Sequence, residues 1–234
     1  MLTRREQNDF KLFIVIPCFN EQESIHTVVS SLLKAGYQNI ILVDDHSTQD
    51  IQLALKGLPV FYIRHSLNLG QGAALQTGFE YAKKQNADIV VTFDGDGQHS
   101  PADIASLIAP ILNNTSDIVL GSRFLNASDS NISIPRTFVL KVGRYIDWMF
   151  TGLLLSDVHN GIRSLGKKAL HDISLTENGM AHATEIIMQI RKNKLRFCEI
   201  PVTINYSQYS RSKGQSLWNS INIFFDLIIK KIRP

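Results

Sequence analysis

The chain has 234 residues, of which 44% are hydrophobic and 19% charged, and its formal net charge is +3. This length suits a single large domain, and the composition excludes disordered, collagen-like and low-complexity classes. Two cysteines, Cys18 and Cys198, are too few for a disulfide framework and fit a reducing compartment. We therefore expect a globular cytoplasmic protein.

The two ends of the chain differ in character. The first eleven residues are polar and lack a secretory signal, and no apolar run reaches the ~20 residues that a bilayer span needs. Export and a transmembrane helix are therefore not expected. Residues 191–234 carry nine Lys or Arg against two acidic residues. This end suits either a solvated basic face or an anionic partner such as lipid headgroups, phosphate or nucleic acid.

Five short apolar runs, rich in β-branched or aromatic residues, predict β-strands. These runs are 11–17, 39–45, 59–64, 87–94 and 116–123. Because they are continuously apolar rather than alternating, both faces of the sheet should be covered by helices. We therefore predict an α/β fold with a mostly parallel, Rossmann-like central sheet.

Helical spacing of apolar residues between these strands predicts helices around 25–33, 70–85 and 101–112. Asn20, followed by Glu23, is the expected N-cap of the first helix, and Ser100, followed by Pro101, that of the third.

Polar residues follow three of the predicted strands, and the carboxyl ends of parallel strands meet at one edge of a sheet, where ligands bind. In FDGDGQHSP, residues 93–101, Asp94 and Asp96 can aim at one hard cation such as Mg²⁺ or Mn²⁺. A polar turn before a helix is the alternative. A calcium loop is excluded, because Gln98 and His99 occupy the positions of its third ligand and its glycine.

Several motifs occur in an order and spacing typical of one enzyme family: IVIPCFNEQESI, ILVDDHSTQD, NLGQGAALQTGF, FDGDGQHSPADI and GSRF. On these motifs residues 11–218 resemble family 2 glycosyltransferases of the GT-A fold, most of all the branch that transfers sugars to dolichyl phosphate and other polyprenyl phosphates. The resemblance implies inverting transfer of a sugar from a UDP- or GDP-sugar to a polyprenyl phosphate in cell-surface glycan synthesis. It also implies Mg²⁺ or Mn²⁺ on the donor diphosphate.

The resemblance further implies roles for individual residues. The implied donor-binding residues are Pro17, Phe19, Glu21, Asp44, Asp45, Asp94 and Asp96, and the implied metal ligands are Asp94, Asp96 and Gln98. The implied catalytic residues are Asp96, Asp157, Arg123 and Arg136. Acceptor or phosphate binding is implied for Arg123, Arg136, Arg163, Arg211, Lys213 and Ser216.

The nature of the acceptor leaves alternatives open. Asp157 suits a general base if the acceptor is a hydroxyl, or the positioning of an arginine or a backbone group if it is a phosphate, which is already ionised. Leu217 stands where many prenyl-phosphate enzymes have Lys, so a hydroxyl of a glycan or lipid-linked saccharide is the alternative acceptor. A catalytically silent nucleotide-sugar-binding module is the remaining alternative.

Gly70 and Gly72 in NLGQGAAL open a predicted helix, but this is no dinucleotide-binding fingerprint, because that motif should follow the first strand. The two glycines either line the donor pocket or allow tight packing between loop and helix.

We expect a GT-A domain over 1–213, with a donor half at about 11–123 and an acceptor half at about 124–213. Residues 214–234 have the apolar face, aromatic residues and basic end of a helix that lies on a membrane surface. This predicts peripheral attachment to the cytoplasmic face, whereas packing on the core or on a second subunit is the alternative. A homo-oligomer stays open, and nucleic-acid binding is not expected.

Overall fold

The structure is a computed structural model that describes residues 10–125, 148–149 and 151–205. The strands are β1 (Leu12–Cys18), β2 (Ile40–Asp44), β3 (Phe61–Arg64), β4 (Ile89–Thr92), β5 (Ile118–Ser122), β6 (Arg163–Gly166) and β7 (Phe197–Pro201). The helices are α1 (Gln22–Lys34), α2 (Ile51–Leu55), α3 (Gln71–Lys84), α4 (Ile104–Leu112), α5 (Lys167–Asp172) and α6 (His182–Lys192). A 3₁₀ turn over Pro101–Asp103 leads into α4.

The strands of the described chain form one sheet in the order β3-β2-β1-β4-β6-β5-β7. β3, β2, β1 and β4 pair in parallel, and so do β5 and β7. β6 runs antiparallel to both of its neighbours, β4 and β5. The prediction of a mostly parallel sheet flanked by helices is confirmed, with one antiparallel strand between two parallel blocks.

Successive side chains of β1 point to opposite faces of the sheet and into two separate cores. Phe13 and Val15 pack with residues of α3, α5 and α6, whereas Ile14 and Ile16 pack with residues of α1, α2 and α4. Covering both faces explains why the strands read as continuous apolar runs. Since each fully buried aliphatic side chain contributes roughly 1.5–3 kcal/mol, these cores are the main source of stability.

The two N-cap predictions had different outcomes. Ser100 accepts a hydrogen bond from the backbone N–H of Ala102, as a cap should. The prediction for Asn20 was wrong: α1 begins after Glu21 without a side-chain cap. The Asn20 Oδ1 instead accepts hydrogen bonds from the backbone and the hydroxyl of Thr48. The Asn20 side chain, which local spacing assigned to the helix N-terminus, is therefore hydrogen-bonded to the loop after β2 instead.

The strand directions bring the predicted site residues to one edge of the sheet. β1, β2, β4 and β5 all end there, and each is followed by polar residues of the motifs. Because β6 runs the other way, it begins at this edge, where Arg163 pairs with Thr92 at the end of β4.

In the described ranges, no helix combines the length and the hydropathy needed to cross a membrane. The predicted helix over 214–234 lies outside the described residues, so the domain boundary at 213 stays a prediction.

Candidate active site

Asp94 follows β4 and is held by side chains from other parts of the fold. Its Oδ2 accepts a hydrogen bond from His99 Nε2 at 2.9 Å, and its Oδ1 accepts one from Gln71 Nε2 at 3.3 Å. The carboxylate also lies against Gly161, where an added Cβ would clash with Oδ2. Burial acts to raise the pKa of Asp94, but the hydrogen bond and charge of His99, with the charge of Arg163, outweigh it and lower that pKa overall.

Asp96 is bonded within its own turn. Its Oδ1 accepts a hydrogen bond from the Gln98 backbone at 3.0 Å, and its Oδ2 accepts one from Gln98 Nε2 at 2.7 Å. Burial raises the pKa of Asp96, and the neighbouring charge of Asp94 raises it further. The two carboxylates therefore repel each other, and a divalent cation between them would relieve the repulsion.

The donor set of this turn fits Mg²⁺ or Mn²⁺ bound through few protein ligands. Asp94 and Asp96 offer carboxylate oxygens, and the Gln98 amide directs its nitrogen at Asp96, which leaves its oxygen as an acceptor. Such cations take their remaining ligands from phosphates and water. Across the described residues, no three His, Cys, Asp or Glu side chains gather into a metal site. The three oxygen donors of this turn therefore suit a cation whose remaining ligands come from a diphosphate and water.

Asp44, at the end of β2, is fully buried and organises the neighbouring strand end. Its Oδ1 accepts a hydrogen bond from the Ser47 backbone at 2.8 Å, and its Oδ2 accepts one from the Tyr62 hydroxyl at 2.7 Å. Arg64 Nε lies 3.6 Å from the same Oδ2, and Arg64 Nη2 donates to Ser47 O at 2.9 Å. The Arg64 side chain, on the neighbouring strand β3, is 45% exposed and therefore offers a cation to solvent beside this strand end.

Asp45 faces inward and fastens the loop after β3. Its carboxylate lies 2.7 Å from His65 Nδ1 and accepts hydrogen bonds from the backbone N–H groups of Leu69 and Gly70. The other ring nitrogen of His65 lies 2.9 Å from Thr77 Oγ1 on α3. These bonds tie the end of β2 to the start of α3, and the donor contact predicted for Asp45 stays a prediction.

The residues after β1 lie beside the DGD turn. Pro17 is buried at the end of the strand, whereas Phe19 is 45% exposed. The Ser24 hydroxyl lies 2.7 Å from Gly95 O and 3.1 Å from Glu21 Oε2. The start of α1 is therefore bonded to the loop that carries Asp94 and Asp96.

Arg123 and Asp157 form an ion pair on the acceptor side of the edge. The carboxylate accepts hydrogen bonds from Arg123 N at 3.0 Å and from Nε and Nη2 at 2.7 Å each. Burial acts to raise the pKa of Asp157, but the bonds and charge of Arg123 outweigh it and lower that pKa. Glu199 on β7 holds the same segment, accepting hydrogen bonds from the Ser156 backbone and hydroxyl at 2.8 and 2.6 Å. Of the two roles predicted for Asp157, this geometry matches the positioning of an arginine.

Arg163, predicted to contact phosphate, is buried at the start of β6. Its Nη2 donates to Val158 O at 3.2 Å, whereas Nη1 has no hydrogen-bond partner among the described residues. Burial lowers the pKa of Arg163 to about 10, although the charges of Asp94 and Asp157 favour its protonated form. Burial and the charge of Arg163 in turn lower the pKa of His182 to about 4. The positive charge of Arg163 thus interacts with the carboxylates of both Asp94 and Asp157. The phosphate contact predicted for Arg163 stays a prediction.

Gly70 and Gly72 open α3 against the loop that precedes α6. The Gly72 backbone N–H donates to Asn178 O at 2.7 Å. An added Cβ would clash with Asn178 O at Gly70, and with Glu177 O at Gly72. Two roles were left open for these glycines. The close contacts with Glu177 and Asn178 match the second one, tight packing between the start of α3 and a loop.

Four predicted acceptor-side residues lie outside the described residues: Arg136, Arg211, Lys213 and Ser216. Their roles stay predictions.

Sequence reasoning did not single out Gln71, His65 and His99, which contact these carboxylates, or Glu199, which holds the backbone that carries Asp157. A usable signal exists for His99, which lies five residues after Asp94 and just beyond the DGD turn. No local signal exists for Glu199, because β7 reaches Ser156 only in the folded chain.

The sheet and the paired aspartates at its edge define a class, the glycosyltransferases of the GT-A fold. Within that class the chain belongs to glycosyl transferase family 2, whose model matches residues 13–174. It is therefore a glycosyltransferase.

Two relatives span nearly the whole chain. An uncharacterized protein of Methanocaldococcus jannaschii is 33% identical over 97% of this chain and 95% of its own length. The UDP-N-acetylglucosamine–dolichyl-phosphate N-acetylglucosaminyltransferase of Methanococcus voltae is 34% identical over 96% of this chain and 97% of its own length.

Among solved structures, the chain resembles glucosyl-3-phosphoglycerate synthase from Mycobacterium tuberculosis, crystallised with Mn²⁺, UDP and phosphoglyceric acid. The TM-score is 0.69 at 15% identity, over 95% of this chain and 80% of the other. At this identity the likeness shows the fold.

Proposed function

We propose that this chain transfers a sugar, with inversion, from a UDP- or GDP-sugar to a polyprenyl phosphate of the dolichyl or undecaprenyl type, and that it requires Mg²⁺ or Mn²⁺. The full-length likeness to the Methanococcus voltae enzyme supports both substrates, because the name of that enzyme states a UDP-sugar donor and a dolichyl-phosphate acceptor. UDP-N-acetylglucosamine is therefore the first donor to test.

The observation that carries the phosphate acceptor is the Arg123–Asp157 pair. A hydroxyl acceptor must lose a proton during attack, and Asp157 is the residue predicted to take it. That carboxylate is buried and already accepts hydrogen bonds from three N–H groups of Arg123. A phosphomonoester loses its second proton with a pKa of about 6 and needs no base. The guanidinium is moreover well suited to bind phosphate oxygens.

In this account the residues of the site divide between the two substrates. Asp94, Asp96 and Gln98 hold the cation, which when bound supplies Lewis-acid stabilisation of charge on the departing nucleoside diphosphate. Arg123 orients the acceptor phosphate so that its oxygen attacks the anomeric carbon opposite the leaving group, and Asp157 holds Arg123. Attack from that side inverts the configuration at the anomeric carbon. Positioning of the two substrates by these residues accounts for much of the catalysis.

On the donor side, exposed Phe19 and Arg64 offer an aromatic face and a cation to the nucleotide. Asp44 is buried, so it acts indirectly: it fixes this strand end by accepting hydrogen bonds from the Tyr62 hydroxyl and the Ser47 backbone. We infer that the protein works at the cytoplasmic face of the membrane, peripherally attached through residues 214–234. That inference rests on the amphipathic pattern of residues outside the described part of the chain.

The test is a transfer assay with a panel of radiolabelled UDP- and GDP-sugars, Mg²⁺ or Mn²⁺, and either undecaprenyl phosphate or a neutral glycan. We expect label in a lipid fraction that extracts into organic solvent and is released by mild acid. Label found only on the glycan would replace the phosphate acceptor with a hydroxyl. No transfer from any donor would contradict the proposal as a whole.

A further inference from the structure

We propose that His99 is a positioning residue, which holds the Asp94 carboxylate in the orientation that the divalent cation requires. The inference rests on the proposed function, because it presupposes a cation at Asp94 and Asp96. It gives a role to a residue that lies within the FDGDGQHSP motif but to which the sequence analysis assigned none.

The imidazole of His99 is committed to Asp94. His99 Nε2 lies 2.9 Å from Asp94 Oδ2, and a carboxylate only accepts hydrogen bonds, so Nε2 carries the hydrogen. The other ring nitrogen, Nδ1, is buried and has no hydrogen-bond partner among the described residues. Only 4% of the His99 side chain is exposed. Within the described chain, the bond to Asp94 is therefore the one hydrogen bond that the ring makes.

The ring is also fixed in orientation by packing. It meets the Phe93 ring edge-on, with centroids 5.5 Å apart and an interplanar angle of 69°. Rotation of the imidazole would break both this contact and the hydrogen bond to Asp94.

Asp94 is constrained by residues from several parts of the fold, whereas the hydrogen bonds that Asp96 makes within the described chain come from its own loop. Gln71 on α3 donates to the second oxygen of Asp94, and Gly161 closes the space beside Oδ2. The hydrogen bonds of Asp96 given above come from Gln98, two residues away. The first aspartate of the DGD turn is thus preset by the fold, whereas the second is held by its own loop. A preset ligand reduces the reorganisation needed when the cation binds.

The backbone of His99 extends this support to the segment that follows β7. His99 forms an antiparallel bridge with Ile204, and the Asn205 N–H donates to Gln98 O at 2.9 Å. β7, which directly precedes this segment, carries Glu199, and Glu199 holds the Ser156–Asp157 segment. The turn that carries the metal ligands is therefore attached to the element that organises the acceptor side.

A purely structural role for His99 makes a different prediction. If the ring only filled space, its loss would reduce stability but leave the affinity of the folded protein for the cation unchanged. A positioning role requires that the affinity itself falls.

The experiment is a titration of the full chain with Mn²⁺ in the presence of UDP, with free Mn²⁺ followed by electron paramagnetic resonance. His99→Leu keeps an apolar side chain against Phe93 but removes the donor, and we expect it to raise the dissociation constant about 10- to 100-fold. His99→Gln places an amide donor near the position of Nε2 and should recover most of that loss. His171→Gln, at an exposed histidine on α5, is the matched control and should match the wild type.

Three further variants keep the test decisive. Gly161→Ala leaves His99 intact but drives a methyl group into Asp94 Oδ2, so it should also weaken Mn²⁺ binding if the orientation of Asp94 matters. His99→Met, which likewise lacks the donor, carries the test if His99→Leu does not fold. Asp94→Asn should abolish binding. If Asp94→Asn abolishes binding while His99→Leu and Gly161→Ala bind like the wild type, the positioning role is overturned and the proposed function stands. If the wild type binds no Mn²⁺, both the metal assignment and this inference are overturned.

Discussion

Replacing Asp157 with Asn removes the charge that neutralises Arg123 while changing the side-chain volume little. In the wild type, the carboxylate accepts hydrogen bonds from the backbone N, Nε and Nη2 of Arg123 at 3.0, 2.7 and 2.7 Å. An amide has one acceptor oxygen, and its NH₂ group must face another donor. The variant therefore removes the carboxylate charge that faces Arg123 and weakens the three hydrogen bonds between the two residues, in a site where the Arg123 side chain is 20% exposed.

Removing one partner of a buried ion pair costs about 3–5 kcal/mol. Because Arg123 keeps some contact with solvent, we expect the low end, about 3 kcal/mol in the free energy of unfolding. For a chain of this size that corresponds to a fall in the melting temperature of roughly 6–12 °C. The KM for the lipid acceptor should rise more than the KM for the donor, because Arg123 is the group that the variant releases.

Urea denaturation of both proteins at several pH values measures this effect. The folded pKa of Asp157 is lowered, so its stabilisation is present above the unfolded pKa of about 3.9 and is lost as the pH falls through the folded value. The difference between wild type and variant should therefore be full at pH 7 and shrink in acid. Asp172→Asn, at an exposed carboxylate, is the control and should stay within about 0.5 kcal/mol of the wild type. A loss at pH 7 no larger than that control would refute the reasoning.

Three other substitutions test separate parts of the site. Gly72→Ala would press a methyl group against a backbone oxygen and should lower the free energy of unfolding, followed by thermal melts, by about 1–3 kcal/mol. The control Gly179→Ala, where the added methyl group meets open space, should melt like the wild type. Equal melting temperatures for the two variants would contradict the packing role of Gly72. Asp96→Asn should fold normally but lose metal-dependent turnover, and full turnover would reject Asp96 as a ligand. Tyr62→Phe removes a donor from buried Asp44 and should cost about 1–3 kcal/mol in urea denaturation, so an unchanged midpoint would count against that bond.

The sequence predicts β1 to β5 because each is a continuous apolar run. Four of these strands, β1, β2, β4 and β5, are buried by the two cores, whereas β3 lies at the edge of the sheet and is only partly buried. The sequence does not predict β6, whose residues Arg163–Gly166 include an arginine and a glycine in only four positions. That strand exists because β4 and β5 pair with it on either side, which is a property of the tertiary structure.

The candidate site shows the same division between local and distant contacts. Asp94, Asp96 and Gln98 are recognisable together because they belong to one turn. The Asp94 carboxylate, however, also lies against Gly161, which is distant in sequence, and accepts a hydrogen bond from Gln71 on α3. Asn20 shows the converse: local spacing favours a helix cap, but the loop after β2 provides better hydrogen-bond donors.

The central claim is that the acceptor is a phosphate, and a comparison of two acceptors tests it most directly. Initial rates would be measured with undecaprenyl phosphate and with undecaprenol, in the same detergent, with Mg²⁺ and the donor selected by the panel. We predict rapid transfer to the phosphate and none to the alcohol, because in the proposed mechanism Asp157 stays bonded to Arg123 and takes no proton. Transfer to the alcohol at an equal or higher rate would contradict it.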